Sequence, residues 1–275
     1  MSQGDLHMHS SASDGHLSPT QVVRKVAASD MDFFSIADHN TLDGLAEALD
    51  ALQGHDLEFI YGVEISVQPS AERELHLLGY GFDPSNAILR DVCRRVAQAK
   101  KEQLREITRQ LQAEGIDVHA DELDLEDAPG YVGRPALADL LVRKGVVHSR
   151  NQAFARFLGE NAGTFVPMRR LKPAVAIDAI HKAGGLAVWA HPYFNDVDDH
   201  MADLVDAGLD GIEAYRPALT GNEQLYVEMA GEHFGLFFTG GSDCHARTPA
   251  DQPGWYSVER ELLEDFFEAL EARGA

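Results

Sequence analysis

Nine side chains of metal-binding type are spread along the chain: His7, His9, Asp14, His39, Glu64, His76, His191, Asp243 and His245. Imidazoles mixed with carboxylates are the donors that hold several divalent ions close together, where such ions polarise water and neutralise phosphoryl charge. His7 and His9 stand two residues apart, so on a strand both rings share one face, and Asp243 and His245 repeat that spacing. A lone strand histidine such as His76 is more often an ordinary core residue than a ligand. A strand HxH, a histidine after one apolar run and a DxH after another would require several independent coincidences.

The elements that must position these groups are legible as short apolar runs. Residues 33–37 (FFSIA) lead to His39, 59–63 (FIYGV) to Glu64, 186–190 (LAVWA) to His191, and 236–239 (LFFT) to Asp243, while 74–81 carries His76 between apolar neighbours. Runs of this kind predict buried parallel strands with ligands at or near their ends, as at the C-terminal mouth of an α/β barrel. A carboxylate at a buried strand end, such as Glu64, needs a cation partner. Ser18, Pro19 and Gln21 form a capping box that opens a helix reaching about Ala28. Strand and helix alternate over 5–84 and again over 172–275, which predicts a mostly parallel sheet wrapped by helices. Between them, Ile88, Val92, Val96, Leu104, Ile107 and Leu111 stripe a long helix ending at Gly115, followed by a helix-forming stretch to about Phe165. The expected organisation is a barrel domain of residues 1–85 and 167–275 with a helical insertion, 86–166, over the active-site mouth. Arg90, Arg94, Arg95, Lys100, Lys101, Arg105 and Arg109 give that insertion a local basic excess. Its ordinary reading is a solvated helix face, and its sharper one a guide for a phosphorylated ligand.

Composition narrows the class. The chain has 275 residues, 44% of them hydrophobic, enough for a substantial core. A formal charge of −22 argues against a protein that grips long duplex DNA through its phosphates. A small anionic substrate is still compatible, because bound cations reverse the sign locally. No apolar run reaches the length of a membrane span, and neither a membrane span nor a signal peptide is expected. Cys93 and Cys244, without CxxC spacing, suggest no disulfide framework and a cytoplasmic setting. Cys244 lies between two candidate ligands, where strand alternation turns its side chain away, so packing is its expected role. His16, His55, His119, His148, His181, His200 and His233 sit in loops or on polar helix faces and are expected to coordinate nothing.

The segments DLHMHSSASDG (5–15), ADHN (37–40), GVEIS (62–66), AHP (190–192) and SDCH (242–245) together resemble the PHP family, the polymerase and histidinol phosphatase superfamily. The ASDG after the first HxH and the helical insertion resemble its branch of small nucleotide-directed phosphoesterases. The resemblance implies an α/β fold, a distorted (β/α)7 barrel, holding two to three divalent ions. It implies one ion on His7, His9, Glu64 and Asp243, a second on Glu64, His76 and His191, and a third on Asp14, His39 and His245. Asp14 replaces a histidine found in some members, which favours a hard ion, Mn2+ first, with Mg2+, Zn2+ and Fe2+ as alternatives. Asp243, Glu64 and His191 are the expected catalytic residues. Arg134, in the GRPALADLL segment, resembles a family motif whose arginine faces the active site, although the histidine often two positions later is Ala136 here; Arg170, beside Arg169, is the second substrate-binding candidate.

The implied activity is metal-dependent phosphatase action on a small nucleotide, with the 3′-phosphate of nucleoside 3′,5′-bisphosphates foremost and no covalent enzyme intermediate. The close rival trims short RNA from the 5′ end with the same ions but needs a longer phosphate track. A histidinol-phosphatase-like activity is a further alternative. A non-catalytic module of the same family would be expected to lose ligands, and none is missing. A metal-dependent amidohydrolase, which also begins with HxH, usually carries a bridging carboxylated lysine where this chain offers Glu64. No membrane and no obligatory protein partner is expected.

Overall fold

The structure, a computed structural model, describes residues 2–70, 73–123, 125, 132–159, 162–167 and 171–274. One sheet runs β7-β6-β5-β4-β3-β2-β1-β8. Its strands are β1 (Gln3–Met8), β2 (Phe33–Ile36), β3 (Glu58–Val67), β4 (Leu75–Tyr80), β5 (Leu186–Trp189), β6 (Gly211–Tyr215), β7 (Phe237–Gly240) and β8 (Val258–Glu259). The apolar runs read from the sequence all become strands, because each buries its side chains in the core. The sheet nearly closes into a barrel where the chain leaves β7. There Met8 bridges Cys244, and the His9 N–H donates to the Cys244 carbonyl at 2.8 Å. Gly241 makes this approach possible: a Cβ at that position would lie 2.4 Å from the Cβ of His7.

Eight strands are present among the described residues where the resemblance implies seven, because Val258 and Glu259 add a short antiparallel edge to β1. The sheet also departs from simple parallel winding, since β4 runs antiparallel to both β3 and β5. The connection from β3 to β4 is too short for a crossover, so the chain must turn back on itself. His76, near the start of β4, therefore lies beside Ser66 near the end of β3. A ligand at the beginning of one strand thus reaches the mouth formed by the ends of the others.

The helices are α1 (Pro19–Ala27), α2 (Leu45–Leu52), α3 (Ala87–Ala113), α4 (Arg134–Arg143), α5 (Arg150–Ala153), α6 (Pro173–Lys182), α7 (Phe194–Asp206), α8 (Gly221–Phe234) and α9 (Glu264–Arg273). The Ser18 capping box forms as read, and α3 ends before Gly115, whose φ of 82° suits glycine. Ile177 and Ile180 of α6 and Met201 and Leu204 of α7 pack with Val63, Leu77, Trp189 and Ile212 of the sheet.

Packing along α3 changes partner midway. Leu89, Val92, Cys93 and Val96 join the sheet's core cluster, whereas Leu104, Ile107 and Leu111 join a separate cluster with Val118, Leu137, Leu141, Phe157 and Leu158. The helix is about 40 Å long at 1.5 Å per residue, so it reaches both. No described helix is long and apolar enough to cross a membrane.

Candidate metal centre

Glu64 sits at the middle of the barrel mouth with its side chain fully buried. The loop after β2 continues to pair with β3, since the Asn40 N–H donates to the Glu64 carbonyl at 2.8 Å, and this places His39 alongside. His39 Nδ1 and His9 Nε2 lie 2.8 and 3.3 Å from Glu64 Oε2, with His7 Nε2 at 3.4 Å. On the other carboxylate oxygen, His76 Nδ1 stands at 2.8 Å and His191 Nε2 at 2.7 Å. Asp243 Oδ1 is 3.1 Å from His9 Nε2, and Asp14 Oδ1 is 3.1 Å from His245 Nε2. All nine sequence-derived candidates therefore meet in one place.

The donors fall into three overlapping groups, each within 4.8 Å: His7, His9, Glu64 and Asp243; His39, Glu64 and His76; and His9, Asp14, His39 and His245. The first matches the set implied by resemblance. In the other two, His39 is shared between groups and His9 joins Asp14, while His191 reaches the second through Glu64 and through His76 Nδ1 at 3.2 Å.

Several observations fit divalent cations here. His7 Nε2, Asp14 Oδ1 and Glu64 Oε2 are buried without a well-aligned hydrogen bond, which is costly unless something else satisfies them. Three imidazoles also turn one nitrogen to the cluster and the other to an oxygen, the arrangement that orients metal-binding histidines. His7 Nδ1 meets Glu213 Oε1 at 2.8 Å, His245 Nδ1 the Asp243 carbonyl at 2.8 Å, and His76 Nε2 Glu74 Oε1 at 3.4 Å. The backbone is strained at the same place: Asn40, His191, Asp243 and Ala246 are the described non-glycine residues with positive φ.

Electrostatics follow from this crowding. Burial works to raise the Glu64 carboxyl, but the facing His39, His76 and His7 hold it well below its usual range. Asp243, although partly desolvated by its neighbours, is likewise held down by His9, His7 and His245. Burial, with His245 and His39 nearby, pushes His9 down to about 3. His76 moves the other way, up to about 9, because Glu64 and Glu74 outweigh burial.

Supporting residues were less visible from sequence. Glu213, on β6, holds His7 with one oxygen and accepts the His191 N–H with the other at 2.7 Å. An acidic residue inside the apolar GIEAY strand is the same signal that marks Glu64, and could have found it. Asp5 accepts the His7 and Ser242 N–H groups, each at 3.0 Å, and burial raises its carboxyl to about 7. Asp38 anchors Ser10 and Ser13, and Arg247 Nη2 donates to Asp14 Oδ2 at 2.6 Å. Glu74 meets Lys100 Nζ, from α3, and Arg134 Nη2, the latter at 3.4 Å.

Among the catalytic candidates, Glu64 is central, His191 touches it, and Asp243 is the most open of the nine, with 45% of its side chain exposed. Arg134 is at the edge of the site, against Glu74 and the Leu158 carbonyl at 3.0 Å, between the Phe154 and Phe165 rings. Arg170 and Arg169 lie outside the described residues. None of the histidines set aside in the sequence joins a metal-type group among the described residues; His181, for example, pairs with Asp210 at 2.6 Å. Cys93 and Cys244 are buried, and burial pushes both thiols up.

Comparison with known proteins agrees with this geometry. The PHP domain family model matches residues 5–153. A 5′-3′ exoribonuclease from Haemophilus influenzae is 32% identical, over 94% of this chain and 93% of its own. A 3′,5′-nucleoside bisphosphate phosphatase from Chromobacterium violaceum is 31% identical, over 96% of this chain and 99% of its own. A solved structure from Chromobacterium violaceum, described as an amidohydrolase with bound sulfate and no metal, superposes with a TM-score of 0.86 at 29% identity, covering 98% of this chain and 96% of that one. With motif order, barrel and clustered ligands all in agreement, this chain belongs to the PHP domain family, a family of metal-dependent phosphoesterases.

Proposed function

We propose that the protein hydrolyses a phosphate monoester of a small nucleotide, removing the 3′-phosphate of a nucleoside 3′,5′-bisphosphate to leave a nucleoside 5′-monophosphate. The observation that carries this reading is the convergence of nine donors at one mouth, eight of them in three overlapping groups and His191 against Glu64 Oε1. His7, His9, Glu64 and Asp243 would hold one ion, Glu64, His76 and His191 a second, and Asp14, His39 and His245 a third, with Mn2+ the favoured metal. Bound there, divalent ions make water more acidic and neutralise phosphoryl charge. The chain's own part is orientation: Glu213 fixes the His7 ring and the His191 backbone, and Arg247 turns Asp14. Among the described residues near the centre, the hydroxyls and thiol that could attack phosphorus are otherwise occupied. The Cys244 thiol is buried and pushed up, while the Ser10 and Ser13 hydroxyls are engaged with Asp38.

The helical segment 86–166 is proposed as the lid over this mouth, and Arg134 as a clamp for the phosphate that does not react. Its place against Glu74, which contacts His76, supports that role. Arg170 is a second proposed clamp, on sequence alone.

One feature favours the rival reading, 5′-end trimming of short RNA. An open groove of about 1320 Å³ runs from Asn40, next to His39, along α3 past Arg90, Arg94, Arg95 and Lys101. Asp43, Asp91 and Glu102 line the same groove and offset most of that charge. A long phosphate track would need a clear positive excess, so the small substrate is preferred.

The Mn2+-loaded enzyme should be offered adenosine 3′,5′-bisphosphate and a 5′-phosphorylated RNA tetramer. The expected result is kcat/KM higher for the bisphosphate, with inorganic phosphate released. Faster release of mononucleotides from the tetramer would replace this reading with the rival.

A further inference from the structure

The rim beside His191 carries aromatic surface that phosphate hydrolysis does not use. Tyr193 is 63% exposed and Phe194 46%. Exposed aromatic residues occur singly on many proteins, so exposure alone decides nothing. Placement, rigidity and the chemistry behind the ring distinguish Tyr193.

Tyr193 lies two residues beyond His191, whose Nε2 is 2.7 Å from Glu64 Oε1. The segment between them is tied down at each residue. Glu213 accepts the His191 N–H at 2.7 Å, Arg216 Nη2 donates to the Pro192 carbonyl at 2.7 Å, and the Asp196 N–H donates to the Tyr193 carbonyl at 2.9 Å. The backbone that carries Tyr193 is therefore set before a ligand arrives, which lowers the entropic cost of binding.

The guanidinium of Arg73 lies over the Tyr193 ring, 5.5 Å from its centroid, and the same group pairs with Asp196. Arg73 directly precedes Glu74, which contacts His76, so the ring stands on the His76 and His191 side of the centre. One face of the ring is thus backed by a tethered cation, and its exposure leaves room for a planar ligand.

We propose that Tyr193 is a stacking platform for the nucleobase of the substrate, with Arg73 supporting the ring from behind. This deepens the nucleotide reading above and rests on it. Every base presents a π-face, so the platform selects for a base without selecting which one, and larger purine rings should gain more than pyrimidines. Phe194 is the internal control: it is exposed next door, but its ring leans on Tyr226 at 4.5 Å and no cation lies over it among the described contacts.

The test uses the metal-loaded enzyme with two substrates, adenosine 3′,5′-bisphosphate and the base-free monoester glycerol 2-phosphate, and follows the ratio of their KM values. Tyr193→Ala should worsen the ratio for the bisphosphate at least about fivefold, the low end of the effect of losing one stacked base, with kcat for the bisphosphate little altered. Tyr193→Phe and Tyr193→Trp should restore it, and Phe194→Ala should leave it at the wild-type value. An unchanged ratio in Tyr193→Ala, or an equal rise in both KM values, overturns the platform. Failure of the nucleotide reading itself looks different: the wild-type enzyme would then show no preference for the bisphosphate over glycerol 2-phosphate.

Discussion

The two sides of the centre are built on different plans. On the β1 and β6 side, His7 is held by Glu213, and its backbone by Asp5, with all three side chains buried in the barrel itself. On the β4 side, His76 is held by Glu74, and Glu74 is in turn held by Lys100 of α3 and Arg134 of α4. One half of the site is therefore fixed by the same strands that make the fold, and the other by contacts with the helical segment. The difference teaches where rigidity and adjustment reside. A change in the helical segment can reach His76 through one carboxylate, and among the described contacts none leads as directly to His7.

The largest expected effect comes from breaking the barrel side. Glu213→Gln leaves the shape but weakens the hold on both His7 and His191, and should lower metal affinity or activity by about 10–100-fold. Metal content after dialysis against a chelator of graded concentration measures this, and a wild-type retention curve would remove Glu213 from the account.

Protons provide an intermediate effect. An imidazole held up to about 9, as His76 is, carries a proton in the metal-free protein at neutral pH. That proton stabilises the metal-free fold below the ordinary imidazole range, and its contribution is lost as pH rises through about 9. A metal ion must displace it, so apparent affinity should climb with pH by up to about tenfold per unit for each proton released, levelling off near 9. His9, already pushed down to about 3, has no proton to lose at neutral pH. Calorimetric titration in two buffers of different ionisation enthalpy counts the protons. Finding none at neutral pH would contradict the assignment.

The smallest effect on the metal should come from the helical side. Lys100→Met removes one of the cations packed beside the buried Glu74 carboxylate, and should cost about 3–5 kcal/mol of folding stability. Metal affinity should fall only a few-fold, because Arg134 still faces Glu74 and the barrel ligands are untouched. Denaturant unfolding read beside metal content checks both halves; a loss of metal as deep as in Glu213→Gln would erase the contrast between the two sides.

The sequence revealed what is local. A ligand at the end of an apolar run is visible because the run and the ligand are adjacent, and this located His39, Glu64, His191 and Asp243. The direction of β4 was not visible, since it depends on how a short connection folds back rather than on the strand's own composition. Glu213 is marked as an acid inside an apolar strand, but its partner His7 is 206 residues away, so the pairing itself left no local pattern. Lys100 did leave a trace: it falls on the apolar stripe of α3 between Val96 and Leu104, where a charge must find a buried partner. Arg247 left none that spacing could reveal, because its role is defined only by Asp14 lying across from it.

The midway change of partner along α3 has a mechanical consequence. A rod packed into a different cluster at each end transmits torque, so twisting or shifting its outer half works directly on the wall that seats Leu89 and Val92. Loosening the outer cluster would leave those first turns seated, because they pack in the sheet's own cluster. Loosening the first turns would instead uncover that wall of the barrel.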